Sequence, residues 1–555
     1  MSPAGGGFML VDYIVFVCFI LISIGIGVYY GIVGRSSSVE YHLGKRRIQT
    51  FPLILSMLVT SQSSILMLGI PTETYLYGGV VLWASAGLCL AFLIGARIVV
   101  PMLFPLKLTT VAEYFQLRYK GKAVRLFIAT CILLLNVSNN PYMIIYLEIY
   151  IGVIVMAQSV AMEKVTRIPS WVSILAVFSS AILYTALGGI KAVIWTDVFQ
   201  CVVMVTGILS VLIKGTMDAG GSAYVWEVNT ATDRLDVFNF DPDPLVPYTI
   251  WSFVIGGTLK FMFNALKQTA VQRMNSCQTQ NEATLVYLIT GPLYLVSVSL
   301  ACGEGLVAYA YFTAKGCDPF VSKLVTNPNQ LIPVMVVELF RDYPGMSGMF
   351  LAAVTAATLS SVSSSLAGMS STTHEDIIKP HYPRMSDAIA TRLSRISVVV
   401  YGGVGVLIAF LTAELPGSVF KVATSLMSVF GVPLTGIFLC SIFCPSVTQI
   451  SVLAGGVVSG CLMFWINLGS AFTVKHNPRL QPVPIDQCWN FTLGNNTISA
   501  NNDDVSRSRP EGLDAVYSLS YLWFDTLGFL GFVLVICLVR LVLGKSICTL
   551  SGTCT

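Results

Sequence analysis

Of the 555 residues, 55% are apolar and only 11% are charged, giving a mean hydropathy of +0.76. Soluble globular domains carry about 25% charged residues, so the composition excludes one and indicates a chain that crosses a lipid bilayer many times. The net charge of +4 is small and dispersed, which excludes a nucleic-acid partner.

Stretches long enough to cross about 30 Å of hydrocarbon as a helix predict thirteen spans: 8–31, 50–76, 79–106, 124–157, 170–187, 194–214, 249–266, 281–313, 346–372, 393–411, 419–441, 449–467 and 516–541. No basic leader or cleavage site accompanies the first, which reads as a span and not as a removed signal peptide. The fourth and eighth are long enough to tilt or to end in interfacial turns. Basic residues cluster in three connections that share one side: Arg35, Lys45, Arg46 and Arg47; Lys107, Arg118, Lys120 and Lys122; Lys379, Arg384 and Arg392. The positive-inside asymmetry makes that side cytoplasmic, with the N-terminus extracellular and the C-terminus cytoplasmic. The polar 468–515 connection then lies outside, and it carries glycosylation sequons at Asn490 and Asn495. A third sequon, at Asn136, falls inside an apolar span and reads as unmodified. The fourteen cysteines lie mostly in apolar segments, without a CxxC pair or a His-rich cluster for a metal. Cys302, Cys317 and Cys488 sit near or in outer loops, where a disulfide among them is open.

Three polar interruptions stand out in chain order. The second span, LSMLVTSQSSILMLGIPTETYLYG at 55–78, is polar at its centre from Thr60 to Ser64 and interrupted by Gly69 and Pro71. Proline frees a carbonyl four residues back and kinks the helix, and broken backbone at membrane depth belongs where it lines a cavity. Next, GGIKAVIWTDVFQ at 188–200 ends one span and begins another. It places Asp197 and Gln200 one turn apart, either as an intramembrane functional acid or as a first-turn acid favoured at a helix start. Finally, AATLSSVSSSLAGMSSTT at 356–373 carries ten hydroxyls without a charge or a proline. Ser360 and Ser364 share a face, as do Ser361 and Ser365. Close helix packing and bonds back to the preceding turn account for most of these hydroxyls. The remainder suit a hard monovalent cation such as Na⁺, completed by carbonyls of a broken helix.

Two charges lie deep in spans. Lys260 is near the middle of 249–266, and Glu148 is two residues before Tyr150 in 124–157. A lone charge there is costly. The two pair with each other, or Lys260 reaches water, receives an anionic substrate or stands in for a second cation.

GGIKAVIWTDVFQ is similar to the signature of the sodium/solute symporter family. LGIPTETYLYG (68–78), GGTLKFMFNALKQTAVQR (256–273) and LSSVSSSLAGMSSTTHEDIIKP (359–380) resemble further stretches in the family's order, so that the resemblance spans about residues 10–540. Within the family the chain most resembles the branch of monocarboxylate, multivitamin and iodide carriers. The resemblance implies an all-α polytopic membrane protein with a LeuT-type inverted-repeat core. The leading helix and a cytoplasmic loop would occupy 1–49, the first five-helix repeat 50–214, an extracellular loop 215–248 and the second repeat 249–441. Two trailing helices, a glycosylated extracellular loop and a short cytoplasmic tail would fill 442–555. It further implies a sodium ion held by the carbonyls of Val59, Gln62 and Ala357 and the hydroxyls of Ser360 and Ser361, with Asp197 close behind. Solute would bind near Ser61, Ser63, Leu66, Tyr150, Trp251 and Lys260.

Sugar-carrying relatives have Asn and Gln where this chain has Ser61 and Leu66. A sugar needs many buried hydrogen-bond partners, and Leu66 offers none. Iodide-type relatives also have Gln at the Leu66 position, which weakens the case for iodide and for a second sodium. The expectation is a sodium-coupled importer of a small organic anion at the plasma membrane, with no cofactor beyond Na⁺. The alternatives are a carrier of a vitamin, iodide or another small solute, or a non-transporting sodium-conducting sensor. An enzyme is disfavoured: the four histidines are isolated, no paired acids or nucleophile motif appears, and His374-Glu375-Asp376 reads as a helix end. Monomer and homo-oligomer both remain open.

Overall fold

The computed structural model describes residues 8–33, 37–119, 122–133, 146–412, 419–472, 480, 483 and 512–551. The regular elements among them are all helices, with no strand. Among the described residues, eight helices are long and apolar enough to cross a membrane, or nine when the bent pair Thr50–Ser61 and Ile65–Tyr77 is counted as one span. The chain is thus an all-α polytopic membrane protein.

Burial sorts the helices. The apolar window of the Met346–His381 segment is 94% buried, against 22% for Leu10–Val33 and for Phe524–Val542. The hydroxyl-rich Met346–Thr372 helix is therefore the central strut, and it matches the expected ninth span residue for residue. Its many Ser, Ala and Gly side chains let neighbours come close, as small residues do between membrane helices. Gly348 lies so near the first helix that a Cβ there would stand 2.3 Å from the Asp12 carbonyl oxygen. Asp12 also caps the strut, its Oδ1 accepting the backbone N–H groups of Gly345 at 2.9 Å and Gly348 at 3.0 Å. A carboxylate at a helix N-terminus is favoured by the orphan donors and the helix dipole.

The expected spans 170–187 and 194–214 lie in one helical run, Ser170–Asp218, that changes direction at Gly189 (φ 58, ψ −154). The left-handed φ needs glycine, and a Cβ there would meet the Tyr41 carbonyl oxygen at 2.6 Å. In the expected fourth span the described helices are Lys122–Leu133 and Tyr146–Thr166. The expected seventh is Ser252–Leu266, followed after an extended Lys267 (ψ 149) by Gln268–Met274. The last helix, Phe524–Ser551, starts later than expected, because Leu513–Tyr517 forms a separate short helix. Cys317 is disulfide-bonded, whereas Cys302 is a buried free thiol and takes no part in an outer-loop bridge. Cys488, Asn490, Asn495 and Asn136 lie outside the described residues.

Candidate functional site

The second expected span is broken where its composition turns polar. Thr50–Ser61 stops at Gln62, which is extended (φ −101, ψ 151), and Ile65–Tyr77 resumes at a 57° bend. The resumed helix opens with a wide π-type turn, Ile65–Gly69, just ahead of Pro71. The break turns the Val59 and Gln62 carbonyls toward the central strut. Ser360 Oγ lies 3.3 Å from the Val59 oxygen and 3.0 Å from that of Ala357. Ser361 Oγ lies 2.8 Å from the Gln62 oxygen and 3.3 Å from that of Ala357. The five residues expected from sequence to hold sodium thus converge, and the atoms that meet are all neutral oxygens. Such a set suits a hard monovalent cation. The hydroxyls donate to carbonyls here, and a small rotation presents their lone pairs to an ion.

Directly behind these oxygens lies a fully buried ion pair. Arg273 Nη2 is 2.9 Å from Asp197 Oδ2. The guanidinium also donates to Ser56 Oγ at 2.7 Å, Ser364 Oγ at 2.6 Å and the Thr269 carbonyl at 3.0 Å. Asp197 accepts from Ser56 at 2.5 Å, and Thr60 bonds Ser364 at 3.0 Å. Ser364 is one turn beyond Ser360, and Thr60 follows Val59, so the pair clamps both walls of the oxygen cluster. Asp197 does not itself face the cluster with a free charge, because Arg273 neutralises it. Sequence reasoning gave no role to Arg273 or Ser56, and it singled out Thr60 and Ser364 only as parts of polar stretches. The available signal was an arginine closing the stretch at 256–273.

The residues expected around the solute divide. Ser63, in the break, accepts from the Ile65 N–H at 3.2 Å, and the Tyr150 hydroxyl reaches it at 3.5 Å. Leu66 is buried on the next turn. Ser61 bonds back to the Met57 carbonyl at 2.9 Å. Two residues fall elsewhere. Trp251 is 43% exposed, and its indole N–H donates to the Phe240 carbonyl at 3.2 Å. Lys260 points to the last helix, with its ammonium 3.2 Å from Asp525 Oδ2, 3.0 Å from Ser428 Oγ and 3.4 Å from the Tyr521 carbonyl. Its counter-charge among the described residues is therefore Asp525, and the side chain of Glu148, the partner expected from sequence, lies outside them. An ammonium in lipid needs a carboxylate, and the last helix supplies it.

A broken helix that faces a hydroxyl-rich strut, with five neutral oxygens gathered at the break, is the arrangement from which secondary transporters build their ion sites. The pattern of the Sodium:solute symporter family matches residues 41–459. The chain is 34% identical over 544 residues to the human sodium-coupled monocarboxylate transporter 2, covering 97% of this chain and 85% of that protein. It is 33% identical to the human sodium/iodide cotransporter, over 94% of this chain and 82% of the relative. It is likewise 33% identical to the rabbit sodium-dependent multivitamin transporter, over 93% and 80%. The fold aligns with a solved Na⁺-coupled sialic acid symporter at a TM-score of 0.74 and 20% identity, over 96% of this chain and 97% of that one. The chain belongs to the sodium:solute symporter family. It is a sodium-coupled symporter of a small solute and not an enzyme.

Proposed function

We propose that the protein imports a small organic anion of the monocarboxylate type across the plasma membrane, driven by sodium. The observation that carries the sodium half is the convergence of Val59, Gln62 and Ala357 carbonyls with Ser360 and Ser361 hydroxyls within 2.8–3.3 Å of one another. Sodium there ties the broken helix to the strut, with Asp197 and Arg273 as support. The solute binds beside the break, near Ser61, Ser63, Leu66 and Tyr150. With Lys260 neutralised by Asp525, an anion is received by the bound sodium and by the N-terminus of Ile65–Tyr77, where the helix dipole favours negative charge. The relatives named above for monocarboxylates support that solute class, while those named for iodide and vitamins keep the neighbouring solutes in the test. The fold reading that goes with this function has thirteen spans. Inverted five-helix repeats at 50–214 and 249–441 rock against the rest, the N-terminus is outside, and the 468–515 loop is glycosylated at Asn490 and Asn495. Inward movement of one net positive charge gains about 2.3 kcal/mol per 100 mV.

The test is uptake of lactate, pyruvate, butyrate, nicotinate, biotin, iodide and glucose by expressing cells, in sodium and in choline. Sodium-dependent accumulation of a monocarboxylate is the expected result. Ser360→Ala and Ser361→Ala should each raise the half-saturating sodium concentration about tenfold, the equivalent of one lost ligand worth about 1.4 kcal/mol. Accumulation of iodide or biotin alone overturns the solute class. A sodium current without accumulation of any solute moves the protein to the sensor reading.

A further inference from the structure

One acid within the membrane bundle belongs to none of the networks above. Glu304 lies in the Gln280–Ala314 helix, ten residues before its end, which is about 15 Å along the axis. It is wholly buried, and neither carboxyl oxygen has a hydrogen-bond partner. Its two neighbours are glycines that bring other helices against the backbone. A Cβ at Gly303 would lie 3.1 Å from the Leu212 Cδ2 atom of Ser170–Asp218. A Cβ at Gly305 would lie 2.4 Å from the Pro71 carbonyl oxygen and 2.7 Å from Thr74 Cβ of Ile65–Tyr77. Successive residues turn by about 100° around a helix, so Glu304 emerges in the sector between those two contacts.

The titratable groups on the surrounding elements are engaged elsewhere or do not reach it. On Ile65–Tyr77, Glu73 accepts the Tyr248 hydroxyl at 2.7 Å, and Tyr75 donates to Asp318 at 3.3 Å. On Ser170–Asp218, Lys214 pairs with Asp218 at 2.5 Å. On Leu331–Leu339, Glu338 pairs with Lys315, and Glu227 on Ser222–Ala231 is exposed. On its own helix, Cys302, Tyr309 and Tyr311 make no bond to it. An ionised carboxylate in this place would have no hydrogen-bond donor and no paired cation among the described residues, a state that membrane interiors do not support. The neutral acid removes the ionic part of that cost. Glu304 makes no hydrogen bond that holds the fold, yet its neighbour Gly305 abuts the half of the broken helix that must shift if the bend opens.

We propose that Glu304 is a proton-binding site of the transport cycle. It carries its proton in the packed form described here and releases it to water when Ile65–Tyr77 moves away. The step is carboxylic acid to carboxylate plus a proton taken by water, with no other bond changed. It rests on the reading that the broken helix moves during transport. Alkaline solution then holds the carrier in the wetted, ionised form and slows its return.

Infrared difference spectra of the purified protein in lipid, between about pH 6 and 9, where buried carboxyls titrate, read the group directly. A protonated-carboxyl C=O band should appear in the wild type and be missing from Glu304→Gln. In voltage-clamped cells bathed in sodium without solute, the sodium-evoked charge movement should shrink with rising pH and stay flat in Glu304→Gln. Glu304→Asp, which keeps the carboxyl, should retain the band and move the midpoint. The proposal is overturned by a band unchanged in Glu304→Gln, by one that does not respond to pH, or by a pH dependence that Glu304→Gln retains. Loss of all sodium-evoked charge in the wild type strikes the sodium site instead, and the infrared arm still decides Glu304.

Discussion

Arg273 and Asp197 form a wholly buried ion pair whose partners are hydroxyls on both walls of the oxygen cluster. Removing one member of such a pair leaves an uncompensated charge and costs about 3–5 kcal/mol. Arg273→Met and Asp197→Leu should therefore each lower the thermal midpoint and the amount of protein at the cell surface. The double variant should lose less than the two single losses added together. Simple additivity in thermal unfolding of the purified variants would mean that the two side chains do not act as a unit. The five oxygens were legible because hydroxyls and a polar, proline-marked break are conspicuous in oily sequence. Arg273 was not, because its carboxylate lies 76 positions away, and nothing local in an arginine names its partner.

At the scale of elements, the break in the second span was readable from Thr60–Ser64, Gly69 and Pro71, and the change of direction at Gly189 from the paired glycines. The seating of the helix ends around Ser38–Leu43 and His374–Asp376 was not. The short helix Ser38–Leu43 carries His42, whose ring stacks on His374 with centroids 5.5 Å apart and bonds Ser394 Oγ at 2.9 Å. Nearby, Asp376 takes Arg125 at 2.8 Å and Thr110 at 2.9 Å, so His374-Glu375-Asp376 joins the strut to its neighbours. Burial first, then the charges of His374 and Lys379, push the His42 imidazole down to about 3 from its ordinary 6.5. The unfolded chain binds a proton below about 6.5 that the folded protein refuses. Stability from this group is thus complete above that pH and falls by up to about 1.4 kcal/mol per unit below it. Thermal midpoints taken from about pH 7 to 5 should drop more steeply for the wild type than for His42→Gln. Equal slopes would remove His42 as the cause.

Across the whole molecule, Lys260 and Asp525 join the Ser252–Leu266 segment to the last helix over 265 positions of sequence. A lysine in mid-span advertised a need for a partner, and only the packed bundle says which. This placement changes the expected phenotype. Lys260→Met should reduce surface protein several-fold, while the carriers that arrive keep the wild-type half-saturating solute concentration. Adding Asp525→Leu should restore surface level, since a buried pair replaced by apolar groups is often tolerated. A rise in half-saturation with normal surface level would instead return Lys260 to the solute. The clasp of Asp12 on Gly345 and Gly348 bears on motion as well. The first helix is largely lipid-facing, yet its carboxylate is fastened to the start of the most deeply enclosed helix. It is a handle on the outside of the machine: whatever the enclosed strut does out of sight, the first helix must do in view of the lipid.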